Sequence, residues 1–177
     1  MQNHLYGSFP LPSLRFTRPV KALLIPLTLL SFTAPAHAQY KQEITNDPSR
    51  CRSGAGPAIQ VTATDVSAST GIVRVQLYRG TQQDWLASGR WIYRMEAPAR
   101  AGRMTFCMPV PQAGTYGIAI RHDLNGNGKT DLTRDGGGMS NNPSINIFNL
   151  GKPNYRKTAF TVGANEVKSM TIQMRYL

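Results

Sequence analysis

Alternating apolar and polar residues recur along most of the chain after residue 58. Each run has a period of two, which is typical of a strand with one face in a core and the other in solvent. The clearest run contains Ile59, Val61 and Ala63 between polar neighbours. Similar runs begin near residues 73, 91, 104, 116, 158 and 170. The pattern therefore predicts an all-β fold of about seven strands.

Clusters of turn-forming residues separate these runs, as expected for an antiparallel β-sandwich. Residues 39–57 are polar and rich in turn formers, and we expect an irregular N-terminal arm there. Thr81 opens the one helical segment that we expect, a turn or two at 81–88. The sandwich domain is predicted to span 58–177.

The stretch 123–155 breaks the alternation, because Gly, Asn, Asp and Ser dominate it and no strand of normal length is evident. Loops longer than about 15 residues in a compact domain are usually functional or disordered. We therefore expect the interaction or ion site of the domain in this long loop.

Residues 1–38 have the composition of a secretory signal peptide. A basic, acid-free stretch precedes an apolar run from Ala22 to Phe32, and Ala36-His37-Ala38 offers the small residues that a signal peptidase requires. The apolar run is shorter than the ~20 residues that cross a bilayer. We predict cleavage after Ala38 and a periplasmic or secreted protein with no membrane span left; a retained membrane anchor is the alternative.

Loss of the signal changes the charge balance. The full chain has 20 Lys and Arg against 9 Asp and Glu, a net charge of +11. Three basic residues and no acidic ones lie in 1–38, which leaves 17 basic against 9 acidic residues, a net charge of +8. The remaining arginines are spread over strands without any nucleic-acid recognition motif, so nucleic acid is not the expected partner.

Export also bears on Cys51 and Cys107, the two cysteines of the chain. In an oxidising compartment they most simply pair with each other, which would tie the arm to the sandwich. Two free thiols, one of them used between molecules, are the alternative.

Oxygen-bearing side chains occupy alternate positions at the start of the long loop. Asp123, Asn125 and Asn127 stand at positions one, three and five, Gly128 at six and Asp131 at nine. In calcium loops such oxygens converge on the ion, the sixth-position glycine allows a sharp turn and the seventh residue supplies its carbonyl. The sequence predicts a weak calcium site with these ligands: Asp123, Asn125, Asn127, Lys129 and Asp131.

A plain tight turn is the alternative to calcium. Asn125-Gly126 and Asn127-Gly128 are common turn dipeptides, because both residue types tolerate positive φ. The twelfth position is Arg134 in place of the bidentate glutamate of a calcium loop. Calcium would therefore bind with a dissociation constant of ~0.1–1 mM, as in extracellular modules.

The run from Gly114 to Lys129 reads GTYGIAIRHDLNGNGK. Ser140-Asn141-Asn142, Phe148 with Gly151-Lys152-Pro153, and Ala159-Phe160 follow in that order. Over residues 58–176 the chain thereby resembles the bacterial exported family known as domain of unknown function 2141. The resemblance implies an immunoglobulin-like or transthyretin-like sandwich outside the cytoplasm, and it supplies no catalytic residues.

Other candidate chemistry is weak. His122 is the single histidine beyond residue 38 and no Gly-x-Ser-x-Gly motif is present, so we expect a structural histidine, no catalytic residue and no enzyme. Four methionines suggest a copper(I) site, but their alternation favours core packing. They are Met104, Met108, Met170 and Met174.

Four arginines cluster in sequence among aromatic residues: Arg90, Arg94, Arg100 and Arg103. On adjacent strands they would form a basic face for acidic cell-envelope polymers. A solvated face that keeps the sheet soluble is the alternative. The primary expectation is thus an exported, non-enzymatic binding or structural module with an unidentified envelope or extracellular partner. An accessory protein for acidic polymers is the second.

Overall fold

A computed structural model describes residues 40–176 of the chain. The predicted signal peptide, with its cleavage after Ala38, lies outside the described residues. Among residues 40–176 no helix is long and apolar enough to span a membrane. The described strands are β1 (Gln42–Glu43), β2 (Ala58–Val66), β3 (Ile72–Arg79), β4 (Trp91–Pro98), β5 (Gly102–Pro109), β6 (Gly114–Asp123), β7 (Gly136–Met139), β8 (Phe160–Val162), β9 (Val167–Gln173) and β10 (Arg175–Tyr176). The helix α1 (Tyr155–Thr158) and two 3-10 turns (Pro48–Cys51 and Ile147–Asn149) complete them.

The strands form two sheets. Sheet A has the order β1-β4-β3-β6-β7-β10, and β8 pairs with β6 beside β7; sheet B has the order β5-β2-β9. Most neighbours are antiparallel, as predicted, but β1 runs parallel to β4 and β2 runs parallel to β9. Both sheets are therefore mixed, which the alternation of single strands cannot reveal because it carries no information on direction.

The core lies between the two sheets and is built from the apolar positions of the alternating runs. Ile59 and Val61 of β2 face Val75, Leu77 and their neighbours from sheet A within one buried cluster. Each such side chain contributes about 1.5–3 kcal/mol when fully buried. The seven predicted runs all contribute strands to this sandwich, so the predicted all-β class is confirmed.

Three short strands were not predicted: β1, β7 and β10. Strand β7 has the sequence Gly-Gly-Gly-Met, which has no alternation to detect, and it divides the predicted loop 123–155 into segments 124–135 and 140–154. The strand expected from Thr158 begins at Phe160 instead, because Thr158 ends helix α1. The segment opened by Thr81 forms a single turn, closed by Trp85 N–H donating to the Thr81 carbonyl at 3.0 Å.

The predicted disulfide is confirmed. Cys51 and Cys107 are bonded, with Cα atoms 5.7 Å apart. Asn46 adds to this junction, because its Oδ1 accepts from the Cys107 N–H at 2.8 Å and its Nδ2 donates to the Thr105 carbonyl at 3.2 Å. The arm is thus fastened to β5 of sheet B, while its strand β1 extends sheet A.

Candidate functional site

The predicted calcium loop begins where β6 ends, at Asp123. This carboxylate is 2 % exposed and bonds to the loop that follows it. Its Oδ2 accepts from the Gly128 N–H at 2.8 Å and its Oδ1 accepts from the Asn127 N–H at 3.2 Å. Gly128 has φ +77°, a conformation that L side chains rarely adopt. The first and sixth positions are therefore joined by the sharp turn that the spacing predicts.

Three further predicted ligands, Asn125, Asn127 and Asp131, contact one another through their side chains. Asp131 Oδ2 accepts from the side-chain amides of Asn125 at 2.9 Å and of Asn127 at 3.0 Å. The two amide oxygens face backbone instead, with Asn127 N–H at 3.1 Å and Lys129 N–H at 2.7 Å. Within residues 40–176 no group of three or more His, Cys, Asp or Glu is placed to hold a metal ion. A calcium ion here would therefore need amide and carbonyl oxygens in addition to the carboxylates of Asp123 and Asp131.

Arg121, which the sequence analysis did not single out, holds this loop against the sheet. Its guanidinium donates to the Gly128 carbonyl at 3.0 Å, to Asp123 Oδ2 at 3.2 Å and to Thr130 Oγ1 at 2.8 Å. Asp135 closes the loop at its base, because its carboxylate accepts from the N–H groups of Leu124 and Asp131. The sequence feature that could have identified Arg121 is its place on the polar face of β6, two residues before Asp123.

A row of four charged side chains and one glycine crosses the outer face of sheet A. Its members occupy directly paired positions on five neighbouring strands: Glu96, Arg74, Arg121, Gly137 and Arg175. Arg74 thus stands opposite a second arginine, an arrangement that is destabilising unless counter-charge is near. Glu96 pairs with Arg74 and Asp123 with Arg121, whereas no acidic side chain of residues 40–176 pairs with Arg175.

Burial and a like-charged neighbour both disfavour the charged form of Arg121. Burial first, and the charge of Arg74 second, lower the pKa of Arg121, and the nearby carboxylates only partly oppose them. Its Nε is buried without a hydrogen-bond partner. An uncompensated buried donor of this kind costs about 1–3 kcal/mol. The Nε of Arg94, which lies outside the hollow, is likewise buried without a partner, so this cost is not confined to the row.

A hollow of about 570 Å³ opens over this row. Its floor is low because Ala119 and Gly137 carry little or no side chain, and a Cβ on Gly137 would meet nothing within 4 Å. The segments on either side of β7 supply walls, through Thr130 and Leu132 from the first and Leu150 from the second. The volume lies within the range of small-ligand sites.

The hollow combines cationic and apolar lining. Arg74, Arg121, Lys152 and Arg175 supply four positive charges, against the single carboxylate of Asp135. The apolar part is formed by six side chains: Tyr78, Leu86, Leu132, Met139, Ile145 and Leu150. An anion with an apolar portion would satisfy both.

Tyr78 lies at the junction of these two parts. Burial raises the pKa of Tyr78 to about 12, and the charges of Arg94 and Arg74 only partly oppose that shift. A phenol is protonated at neutral pH even at its ordinary pKa, and the burial of Tyr78 widens that margin.

The four clustered arginines of the sequence analysis do not share a strand face. Arg94 lies on β4 in sheet A and Arg103 on β5 in sheet B, so the premise of adjacent strands is wrong. Arg94 stacks over Trp91 with its Cζ 4.1 Å from the ring centroid, and Arg90 pairs with Asp84 at 2.7 Å. The arginine-rich face of this domain is the row of Arg74, Arg121 and Arg175 instead.

His122 points into the core and is 0 % exposed. Its Nδ1 lies 2.7 Å from the Tyr176 hydroxyl and its Nε2 lies 2.8 Å from the Thr70 carbonyl. Both ring nitrogens are thus used to join β6 to neighbouring segments, as expected of a structural histidine. The four methionines belong to the core or pack against it, in agreement with the packing prediction.

Comparison with known proteins gives a family and nothing closer. The family described as "Uncharacterized protein conserved in bacteria (DUF2141)" matches residues 61–170. No curated protein and no solved structure matches the chain. The matched range includes β6, the loop after it and most of the lining of the hollow.

Proposed function

Given that the chain belongs to this bacterial family of uncharacterised proteins, we propose that it is an exported binding module without enzymatic activity. Its ligand presents an anionic group to the hollow on sheet A. The bonded Cys51 and Cys107 support export, because structural disulfides persist in oxidising compartments. This proposal keeps the expected acidic partner and moves its binding surface to the row of Arg74, Arg121 and Arg175.

The observation that carries the proposal is the like-charged pair of Arg74 and Arg121 beside Arg175, with which no acidic side chain of residues 40–176 pairs. Glu96 and Asp123 already pair with Arg74 and Arg121, so an anion bound beside Gly137 would chiefly neutralise Arg175 and the repulsion that remains between the two opposed arginines. Charge-assisted bonds from guanidinium groups to oxoanions are about twice as strong as neutral hydrogen bonds. The single carboxylate in the lining, Asp135, is already bound to two backbone N–H groups.

Heparin serves as a polyanionic probe for this surface. We expect the double variant Arg74→Gln/Arg175→Gln to elute from immobilised heparin at clearly lower salt than the wild-type protein. The matched control Arg100→Gln/Arg103→Gln removes the same charge from exposed positions outside the hollow. Equal shifts for both double variants would show retention by net charge alone and would refute a localised anion site.

A calcium site in the loop 123–131 is a second candidate function. The bond from Gly128 N–H to Asp123 and the gathering of Asn125 and Asn127 around Asp131 favour it. Polar atoms about 3 Å apart are the spacing of neighbouring ligands around an ion bound at 2.3–2.6 Å. Both amides would have to turn their oxygens from backbone N–H groups to the ion, which keeps the affinity low.

Calorimetry with calcium, magnesium and chelator tests this site. We expect heat of binding and a higher melting temperature at millimolar calcium, and loss of both in Asp131→Asn. Asp65→Asn is the matched control, because Asp65 is an exposed acid remote from the loop in sequence. Absence of heat and of any melting shift in the wild-type protein would leave the loop as a tight turn.

A further inference from the structure

We propose that the ligand of the hollow is an anionic amphiphile, a phosphate or carboxylate head group that carries an alkyl chain. This inference rests on the proposed function, in which the hollow binds an anion. It adds the chemical class of the rest of the ligand.

The head-group position follows from the register of three strands. Gly137 of β7 is paired with Arg121 on one side and with Arg175 on the other. Neighbouring strands are about 4.8 Å apart, so the two arginine backbones stand about 10 Å apart with an open glycine between them. The guanidinium of Arg175 reaches an oxoanion in this gap directly, whereas Arg121 contributes mainly its charge, because its guanidinium already donates to Asp123, Gly128 and Thr130.

The chain position follows from the next paired positions along the same strands. Ala119 of β6 stands opposite Met139 of β7, and both line the hollow. Tyr78, Ile145 and Leu150 continue this apolar lining. The charged group of the ligand would therefore lie over Gly137, and its apolar part would lie over Ala119 and Met139.

The rim of the hollow exposes large apolar side chains. Leu132 is 47 % exposed and Leu150 is 66 % exposed, and both belong to the lining. Phe148, two residues from Leu150, is 92 % exposed. Clustered exposed hydrophobic residues mark binding surfaces, and an acidic polymer would leave them in water. An alkyl chain covers them.

Calorimetric titration of the disulfide-bonded protein with monomeric amphiphiles tests the inference. The series hexyl, octyl and decyl phosphate varies the chain, decanoate varies the head group, and decyl maltoside removes the charge. We expect affinity to rise by up to about fourfold for each buried methylene, and the neutral compound to bind far more weakly. Inorganic phosphate should bind weakly, and the ratio of decyl phosphate to decanoate identifies the preferred head group.

Two variants separate the two ends of the ligand. A Cβ at Gly137 would meet nothing within 4 Å, so we expect Gly137→Val to fill the open position, with at least a tenfold loss of decyl phosphate affinity and little change in melting temperature. Leu150→Ser should flatten the dependence on chain length while inorganic phosphate binding stays the same. Arg103→Gln, outside the hollow, should change neither.

Several results would overturn the amphiphile. Phosphate binding that depends on Arg175 but not on chain length would leave the anion site standing and remove the alkyl chain. Binding to anionic lipid vesicles without binding to monomeric decyl phosphate would replace the ligand by a membrane surface. Failure of every anion to bind would remove both the inference and the proposed function.

Discussion

The outer faces of the two sheets carry different side chains at equivalent places. On sheet B the central paired positions are Thr171, Thr62 and Thr105, which are uncharged and β-branched. On sheet A the central row places Arg74 against Arg121 and leaves Gly137 open beside Arg175. Solubility and strand propensity explain the threonines fully. They do not explain opposed arginines next to an empty position.

The difference teaches where stability and binding are located. Sheet B is reinforced by the disulfide at Cys107, whereas sheet A carries a buried Nε on Arg121 without a partner. We propose that this difference reflects binding on sheet A, because buried polar groups without a partner occur at functional sites.

Removal of the disulfide should produce the largest loss of stability. Cys51 and Cys107 are 56 residues apart, and closing such a loop in the unfolded chain contributes about 4 kcal/mol in the chain-entropy model. We expect Cys51→Ser/Cys107→Ser to lower the free energy of unfolding in urea by up to that amount. Heparin elution should stay unchanged, because the bond lies on sheet B. A parallel loss of retention would show that the two faces are not separable.

Replacement of Arg121 should have the next largest effect. Arg121→Met leaves the buried carboxylate of Asp123 without its cation, at a cost of about 1–3 kcal/mol. Arg74→Met should cost less than about 1 kcal/mol, because its partner Glu96 is 43 % exposed. Urea unfolding of both variants gives the comparison. The double variant Arg121→Met/Asp123→Asn should recover part of the loss. Equal effects of the two single variants would contradict the role of Arg121 in holding the loop against the sheet.

Much of the sandwich was predictable from sequence, because half-buried strands leave a period of two that is independent of their partners. Ile59, Val61 and Ala63 illustrate this, since all three are completely buried. Strand β7 was not predictable, because glycine leaves no pattern and its pairing depends on β6 and β10. The pairing of Cys51 with Cys107 followed from the predicted compartment and the cysteine count.

The candidate site was predictable only in part. The spacing from Asp123 to Asp131 correctly located a tight polar loop, because neighbouring residues in the sequence build it. The arginine row was not predictable, because Arg74, Arg121 and Arg175 meet only through the order and register of strands far apart in the sequence. The cluster of Arg90, Arg94, Arg100 and Arg103 was misinterpreted for the same reason. The consecutive strands β4 and β5 belong to different sheets and do not pair as a hairpin.

Two neighbouring glycines of β7 face opposite sides of sheet A. Gly138 faces the core and Gly137 faces the hollow. A Cβ on Gly138 would lie 2.8 Å from Ile172 Cγ2 and 2.9 Å from the Gln173 carbonyl oxygen, whereas one on Gly137 meets open space. We expect Gly138→Ala to lower the free energy of unfolding by about 1–3 kcal/mol. Gly137→Ala should stay within about 0.5 kcal/mol of wild type. Thermal and urea unfolding measure both, and a destabilising Gly137→Ala would show that the hollow is filled by packing.

The smallest effect tests whether opposed arginines are costly in themselves. Thr62→Arg/Thr105→Arg would place such a pair on the outer face of sheet B, beside the N-terminal arm that is bonded to β5 at Cys107. We expect a repulsive coupling of up to about 1 kcal/mol in a double-mutant cycle, since like charges directly opposed destabilise a sheet. The coupling should shrink as salt is raised, because exposed charges are screened. A cycle without coupling at low salt would mean that opposed arginines are tolerated on any strand face, and Arg74 and Arg121 would then need no ligand to account for them.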